Sequence, residues 1–135
     1  MEGIRMRMEG LVFSKEHFWV NPPEAADEDT AFVGLSFFAQ EELGDIASVS
    51  LPDKGKIVSK DEEVGSIESM KSVSDIIAPV SGEIVEQNGK LAEEPELINT
   101  DPYGEGWLFK LKIKDKEELK ELMNYQEYQK FTEEQ

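Results

Sequence analysis

In GSIESMKSVSDIIAPVSG, residues 65–82, a single lysine, Lys71, stands between two segments that both read as strands. Val64 and Ile67 anchor the first, Val73, Ile76 and Ile77 the second, which leaves residues 68–72 for a turn and sends the Lys71 amine into water. The chemistry on offer is that of one exposed amine. The rest of the chain adds little to it: histidine occurs once, as His17, and cysteine not at all. One histidine gives a Ser-His-Asp arrangement a single candidate and rules out multi-histidine metal sites, so no metal ligands are assigned. Without cysteine there is no disulfide, zinc-thiolate site or thiol nucleophile, and any sulfur chemistry must come from a group added to the chain. A solvent-facing lysine near a turn is ordinary by itself, so its meaning depends on what surrounds it.

Composition narrows the partners. The 135 residues suit one domain, with too little chain for two substantial cores. Thirty acidic residues against fourteen Lys and Arg give a net charge of -16. Such a surface repels nucleic acid and anionic membranes and favours proteins with basic docking faces. The N-terminal MEGIRMRMEGLVF lacks the apolar run of a signal peptide and the character of a transit peptide, and no stretch approaches the roughly 20 apolar residues of a membrane span. A cytoplasmic protein with neither nucleic acid nor membrane as partner is expected.

The elements that must position Lys71 are mostly strands. Residues 10–13, 17–21 and 30–35 read as three of them, the last two forming a hairpin across the acidic NPPEAADEDT. SFFAQEELGD changes period and predicts one short helix, with Ser36 as N-cap and Gly44 as its stop. From Ile46 onward short strands alternate with turns. LPDKGKIVSKDEEV, 51–64, aligns with APVSGEIVEQNGKL, 78–91, at an offset of 27. That register puts Pro52 on Pro79, Gly55 on Gly82, Ile57 on Ile84 and Val58 on Val85, with each proline and glycine read as turn residues. Two such halves pack on one another as a small sandwich or flattened barrel.

DPYGEG then reads as a loop, and Trp107, Phe109, Leu111 and Ile113 alternate as a strand with one buried face. DKEELKELMNYQEYQKF predicts a helix that starts at Asp115 with a capping box to Glu118 and covers one side of the sandwich. The expected domain is therefore 1–135, with a hairpin core at about 10–113 and a C-terminal helical segment at about 115–131.

Several segments, in order and spacing, resemble the glycine cleavage H-protein family of lipoyl carriers: SKEHFWV, AFVGLSFFAQEELGDI, VSLPDKGKIV, IESMKSVSD, APVSGEIVEQN, EPELINTDPYGEGWLFKLKI and DKEELKELMN. The resemblance runs from about residue 14 to 124. It implies a mainly β fold, a flattened barrel or sandwich of two quasi-symmetric antiparallel sheets with a short internal helix and C-terminal helices. It also implies lipoic acid in amide linkage on Lys71, with Glu68, Ser69, Met70 and Ser72 as flanking residues read by the lipoyl-attaching enzyme. An attaching enzyme must read a folded shape and reach one amine, which suits a lysine on a defined turn. By the same resemblance the chain is expected to be a non-catalytic carrier, and the need for an accessible arm favours a monomer. Its arm takes an aminomethyl group from a pyridoxal phosphate glycine decarboxylase to an aminomethyltransferase and is reoxidised by dihydrolipoyl dehydrogenase. Tethering raises the local concentration of what is carried.

Two departures from the family pattern bear on the site. Where the family has glutamate in His-Glu-Trp, this chain has Phe18, which cannot balance the charge of an amine held in a cleft with the acid matching Asp75. Glu16, two residues earlier, would share a face with position 18 on a strand and supply the carboxylate. At the turn, Met70 and Ser72 replace the usual valine and alanine, and Met70 leans toward the biotinyl motif that Ser72 then breaks. These leave open a biotinyl carrier, or an H-like lipoyl carrier for sulfur oxidation with a heterodisulfide-reductase-like complex or for lipoyl relay.

Overall fold

The computed structural model describes residues 10–23 and 28–134. The N-terminal segment 1–9 and the tip of the NPPEAADEDT loop, 24–27, lie outside the described residues. Among the described residues ten strands and three α-helices follow in chain order: β1 (Val12–Phe13), β2 (Phe18–Asn21), β3 (Thr30–Leu35), α1 (Phe37–Leu43), β4 (Ile46–Ser50), β5 (Ile57–Val58), β6 (Glu63–Ser69), β7 (Val73–Ile77), β8 (Gly82–Gln87), α2 (Leu97–Thr100), β9 (Phe109–Ile113), β10 (Met123–Asn124) and α3 (Tyr125–Glu133). They form two antiparallel sheets, one of seven strands in the order β10-β1-β2-β3-β9-β8-β5 and one of three in the order β4-β6-β7. The mainly β, two-sheet architecture is as expected, and the sheets do not close into a barrel.

One core lies between the sheets. Val20, Val33, Phe109 and Leu111 from the larger sheet meet Ile46, Ile67 and Ile76 from the smaller, all at 5% exposure or less. A second cluster, Leu11, Phe13, Trp19, Trp107 and Tyr128, lies on the other side of β1 and β2, beneath α3. This is why Phe18-Trp19-Val20 is an unbroken apolar run: a strand covered on both faces has no solvent side to leave polar. Phe13 stacks on Tyr128 at 4.4 Å between ring centres, and the Trp19 indole N–H donates to the Pro102 carbonyl at 3.1 Å, pinning the DPYGEG loop.

The short helix forms where its caps predict. Ser36 Oγ accepts from the Ala39 N–H at 3.1 Å, and Gly44, at φ +81, turns the chain out of α1. The C-terminal run departs from expectation in being two helical pieces. Lys116–Glu121 is a 3-10 turn; β10 then pairs with β1, and α3 restarts from a capping box between Asn124 and Glu127. Asp115 caps this turn as expected, accepting from the Glu117 N–H at 3.0 Å, but the capping box stays open because Glu118 does not return its side chain. Its carboxylate instead accepts from Ser81, at 2.6 Å from the backbone N–H and 3.0 Å from the hydroxyl.

The repeat holds in outline only. Its two strands do lie side by side, with Ile57 opposite Glu83 and Val58 opposite Gly82. Yet Ile57 is 65% exposed where its counterpart Ile84 is fully buried, so the aligned positions face opposite ways. Gly55 is a turn glycine at φ +92. Gly82 is not: it sits within β8 against β9, where a Cβ would collide with the Lys112 carbonyl oxygen.

Candidate functional site

Lys71 lies exposed at the tip of the β6–β7 hairpin, and the sequence of the turn accounts for its shape. Ser69, 5% exposed, ends β6, and its N–H donates to the Ser72 carbonyl at 2.8 Å. Its hydroxyl oxygen accepts from the backbone N–H of Lys71 at 3.2 Å and of Ser72 at 3.0 Å. Its own proton goes to the Ser72 carbonyl at 3.1 Å. A serine hydroxyl thus satisfies donors that a turn would otherwise leave to water. From outside the turn, the Met70 N–H donates to the Asp45 carbonyl at 2.9 Å, docking the tip on the corner between α1 and β4.

That corner also seats the lysine side chain. A Cβ placed on Gly44 would stand 3.4 Å from Lys71 Cε and 4.0 Å from Nζ, so the side chain lies across the glycine that ends α1. Asn99, from α2, braces the same corner: Nδ2 donates to the Gly44 carbonyl at 2.9 Å and to Gln40 Oε1 at 2.8 Å, while Oδ1 accepts from the Ile46 N–H at 3.0 Å. Sequence reasoning missed the part Asn99 plays, since its contacts span more than fifty residues; the signal was a lone asparagine in the LINTDP segment.

Beside this seat runs a groove of about 440 Å³. Leu35, Phe38, Ala39 and Leu43 give it an apolar floor, Glu16, His17 and Glu42 a polar wall, and Ser74, three residues past Lys71, part of its rim. Burial holds the His17 imidazole below its ordinary value of 6.5, opposed by the charges of Glu16 and Glu42.

Sequence expectations about this region divide on contact with the groove. Glu16 lines it, but from the turn between β1 and β2 rather than from a strand: His17 has φ +79, and strand alternation begins only at Phe18. Phe18 is 1% exposed and belongs to the core between the sheets. Asp75 stands on the opposite face of the small sheet. Its strand neighbours Ser74 and Ile76 turn inward, whereas Asp75 pairs with Ser66 on the outer face and hydrogen-bonds Glu63, holding that carboxyl above the usual carboxylate range. Glu68 shares this outer face and accepts from the Ser48 hydroxyl at 3.0 Å. Met70 and Val73, at 77% and 66% exposure, flank the lysine with apolar surface. Among the described residues no cluster of histidine and acid suits a metal ion, and no helix is long and apolar enough to cross a membrane.

The model of the glycine cleavage H-protein family matches residues 11–135. The chain belongs to this family. It is 51% identical over 119 residues to the glycine cleavage system H protein of Thermotoga maritima, covering 88% of this chain and 93% of that one. It is 48% identical over 124 residues to the probable glycine cleavage system H protein of Pyrococcus furiosus, covering 91% and 90%. The crystal structure of the Mycobacterium marinum glycine cleavage system H protein superposes with a TM-score of 0.81 at 38% identity, over 93% of this chain and 98% of that one. The H-protein assignment therefore rests on sequence and fold together.

Proposed function

We propose that this H protein is the lipoyl carrier of a cytoplasmic glycine cleavage system, with lipoic acid in amide linkage on Lys71. The observation that carries the reading is the hairpin tip itself: an exposed amine on a backbone fixed by Ser69, beside an apolar-floored groove.

The residues present fit such a group. Lys71 offers the amine, and the Ser69 hydroxyl and the Asp45 carbonyl hold the turn in one shape for an attaching enzyme to read. Met70, Ser72 and Glu68 supply the exposed flanks of that shape. Leu35, Phe38 and Leu43 offer an apolar bed to an aliphatic arm, with Glu16 at the polar wall. Bound lipoic acid supplies the reactive sulfurs that a chain without cysteine lacks. The chain's own part is to present, orient and shelter the arm, which needs neither a general acid nor a base. Its partners are then the attaching enzyme, a pyridoxal phosphate glycine decarboxylase, an aminomethyltransferase and a dihydrolipoyl dehydrogenase, which a monomer serves with its arm free.

Coexpression with a lipoyl-attaching enzyme, read by intact mass, tests the site. The wild-type chain gains one lipoyl group and the Lys71→Arg variant none; modification of the variant would overturn the assignment. Glycine-dependent bicarbonate exchange with the decarboxylase tests the pathway. A fully lipoylated chain that supports no exchange belongs to another lipoyl-dependent route.

A further inference from the structure

The C-terminal helix reaches the groove through one buried hydroxyl. Tyr128 of α3 is 3% exposed, and its oxygen stands 2.7 Å from His17 Nδ1 and 2.6 Å from Ser36 Oγ. Ser36, fully buried, is also the N-cap of α1 and accepts from the Ala39 N–H. Three segments far apart in sequence therefore meet at two short hydrogen bonds: the turn before β2, the start of α1 and the middle of α3. All three line the groove, through His17, through Phe38 and Ala39, and through Thr132.

The protonation of His17 Nδ1 sets the direction of this chain. With Nδ1 of a neutral His17 as acceptor, Tyr128 donates to His17, Ser36 donates to Tyr128, and the Ala39 N–H donates to Ser36, so every group is used. A proton on Nδ1 reverses the first of these bonds. Tyr128 then accepts from His17, and whichever of Tyr128 and Ser36 donates to the other, one hydroxyl hydrogen of this buried pair loses its partner within the group. The charged groups facing the ring are Glu16 of its own turn and Glu42 of α1; from α3 it meets Tyr128 and Phe131, and from α1 the ring of Phe38.

We propose that Tyr128 is a positioning residue that couples the protonation state of His17 to the N-cap of α1, and through that helix to the Gly44 seat of Lys71. Helix α1 is seven residues, about 10 Å, so a change at Ser36 is felt at Gly44 one rigid element away. The inference rests on the carrier reading only for the importance of the groove; the coupling itself belongs to the unmodified chain.

Amide and imidazole NMR of unmodified, isotope-labelled protein from about pH 5 to about pH 8 tests it. In the wild type, His17 titrates below its ordinary value, and the Ala39 and Gly44 amides shift with the same midpoint. In Tyr128→Phe the His17 midpoint rises toward the ordinary value, and those two amides no longer follow it. Ser36→Thr, which keeps a hydroxyl, retains the coupling. Wild-type Ala39 and Gly44 amides that stay still while His17 titrates would sink the proposal, whether or not either variant folds. Lipoylation of Lys71, read by mass, is unaffected by that outcome.

Discussion

The Ser69 hydroxyl oxygen lies 3.2 Å from the Lys71 N–H, so the residue that ends β6 shapes the backbone from which the lysine projects. Ser69→Ala removes the acceptor for two N–H groups and the donor to the Ser72 carbonyl. The expected loss is roughly 1 kcal/mol in urea unfolding, the usual net scale for neutral hydrogen bonds. The larger effect falls on modification: initial lipoylation rates drop several-fold while Lys71 stays in place. An unchanged rate would mean that the attaching enzyme does not read the shape of this turn.

The clamp of Glu118 on Ser81 ties the C-terminal segment to the turn after β7. Removing it by Glu118→Ala costs about 2 kcal/mol, the usual scale for hydrogen bonds to a charged group. Glu117→Ala, one residue away and exposed, serves as the control and changes little in the same denaturation series.

Gly82→Ala forces a Cβ into the Lys112 carbonyl and must push β8 from β9. The expected cost is about 2–3 kcal/mol, with weakened amide-exchange protection along both strands. A Gly82→Ala chain as stable as the wild type would mean that the two strands part at no cost.

Stability should depend on pH through His17. Its folded value lies below 6.5, so the neutral ring is favoured in the folded chain. The stability this contributes is fully present above 6.5 and declines as pH falls from there through the lower folded value. His17→Asn, which tolerates the left-handed backbone, lacks that dependence. Wild type minus variant, followed by urea unfolding, isolates the effect from the many carboxylates, and a flat difference would refute it.

Helix α1 could be read because its signals are local: Ser36 caps the residue three positions on, and Gly44 supplies the turn that ends it. At Asp115 the same logic held only for the cap, which accepts from the Glu117 N–H; the capping box and a continuous helix did not form, because Glu118 is drawn to a partner 37 residues away and Asn124 is needed both to pair with β1 and to cap α3. Lys71 was legible through its flanking strands. Its seat was not, since Gly44 and Asn99 reach it only through the fold. Asp75 shows a subtler failure. With Ile76 and Ile77 both apolar, alternation did not say which face was inside, and only pairing with β6 assigns Asp75 to the outer one.

The seven-stranded sheet ends at β5 on one side and β10 on the other, each two residues long. Edges so short offer another chain scarcely any ladder to join, even though Ile57 leaves one of them apolar. The large sheet is thereby guarded against growing into a filament by length alone. Extending β5 by a few β-branched residues would remove that guard and turn Ile57 from a stray apolar side chain into the start of an aggregation-prone edge.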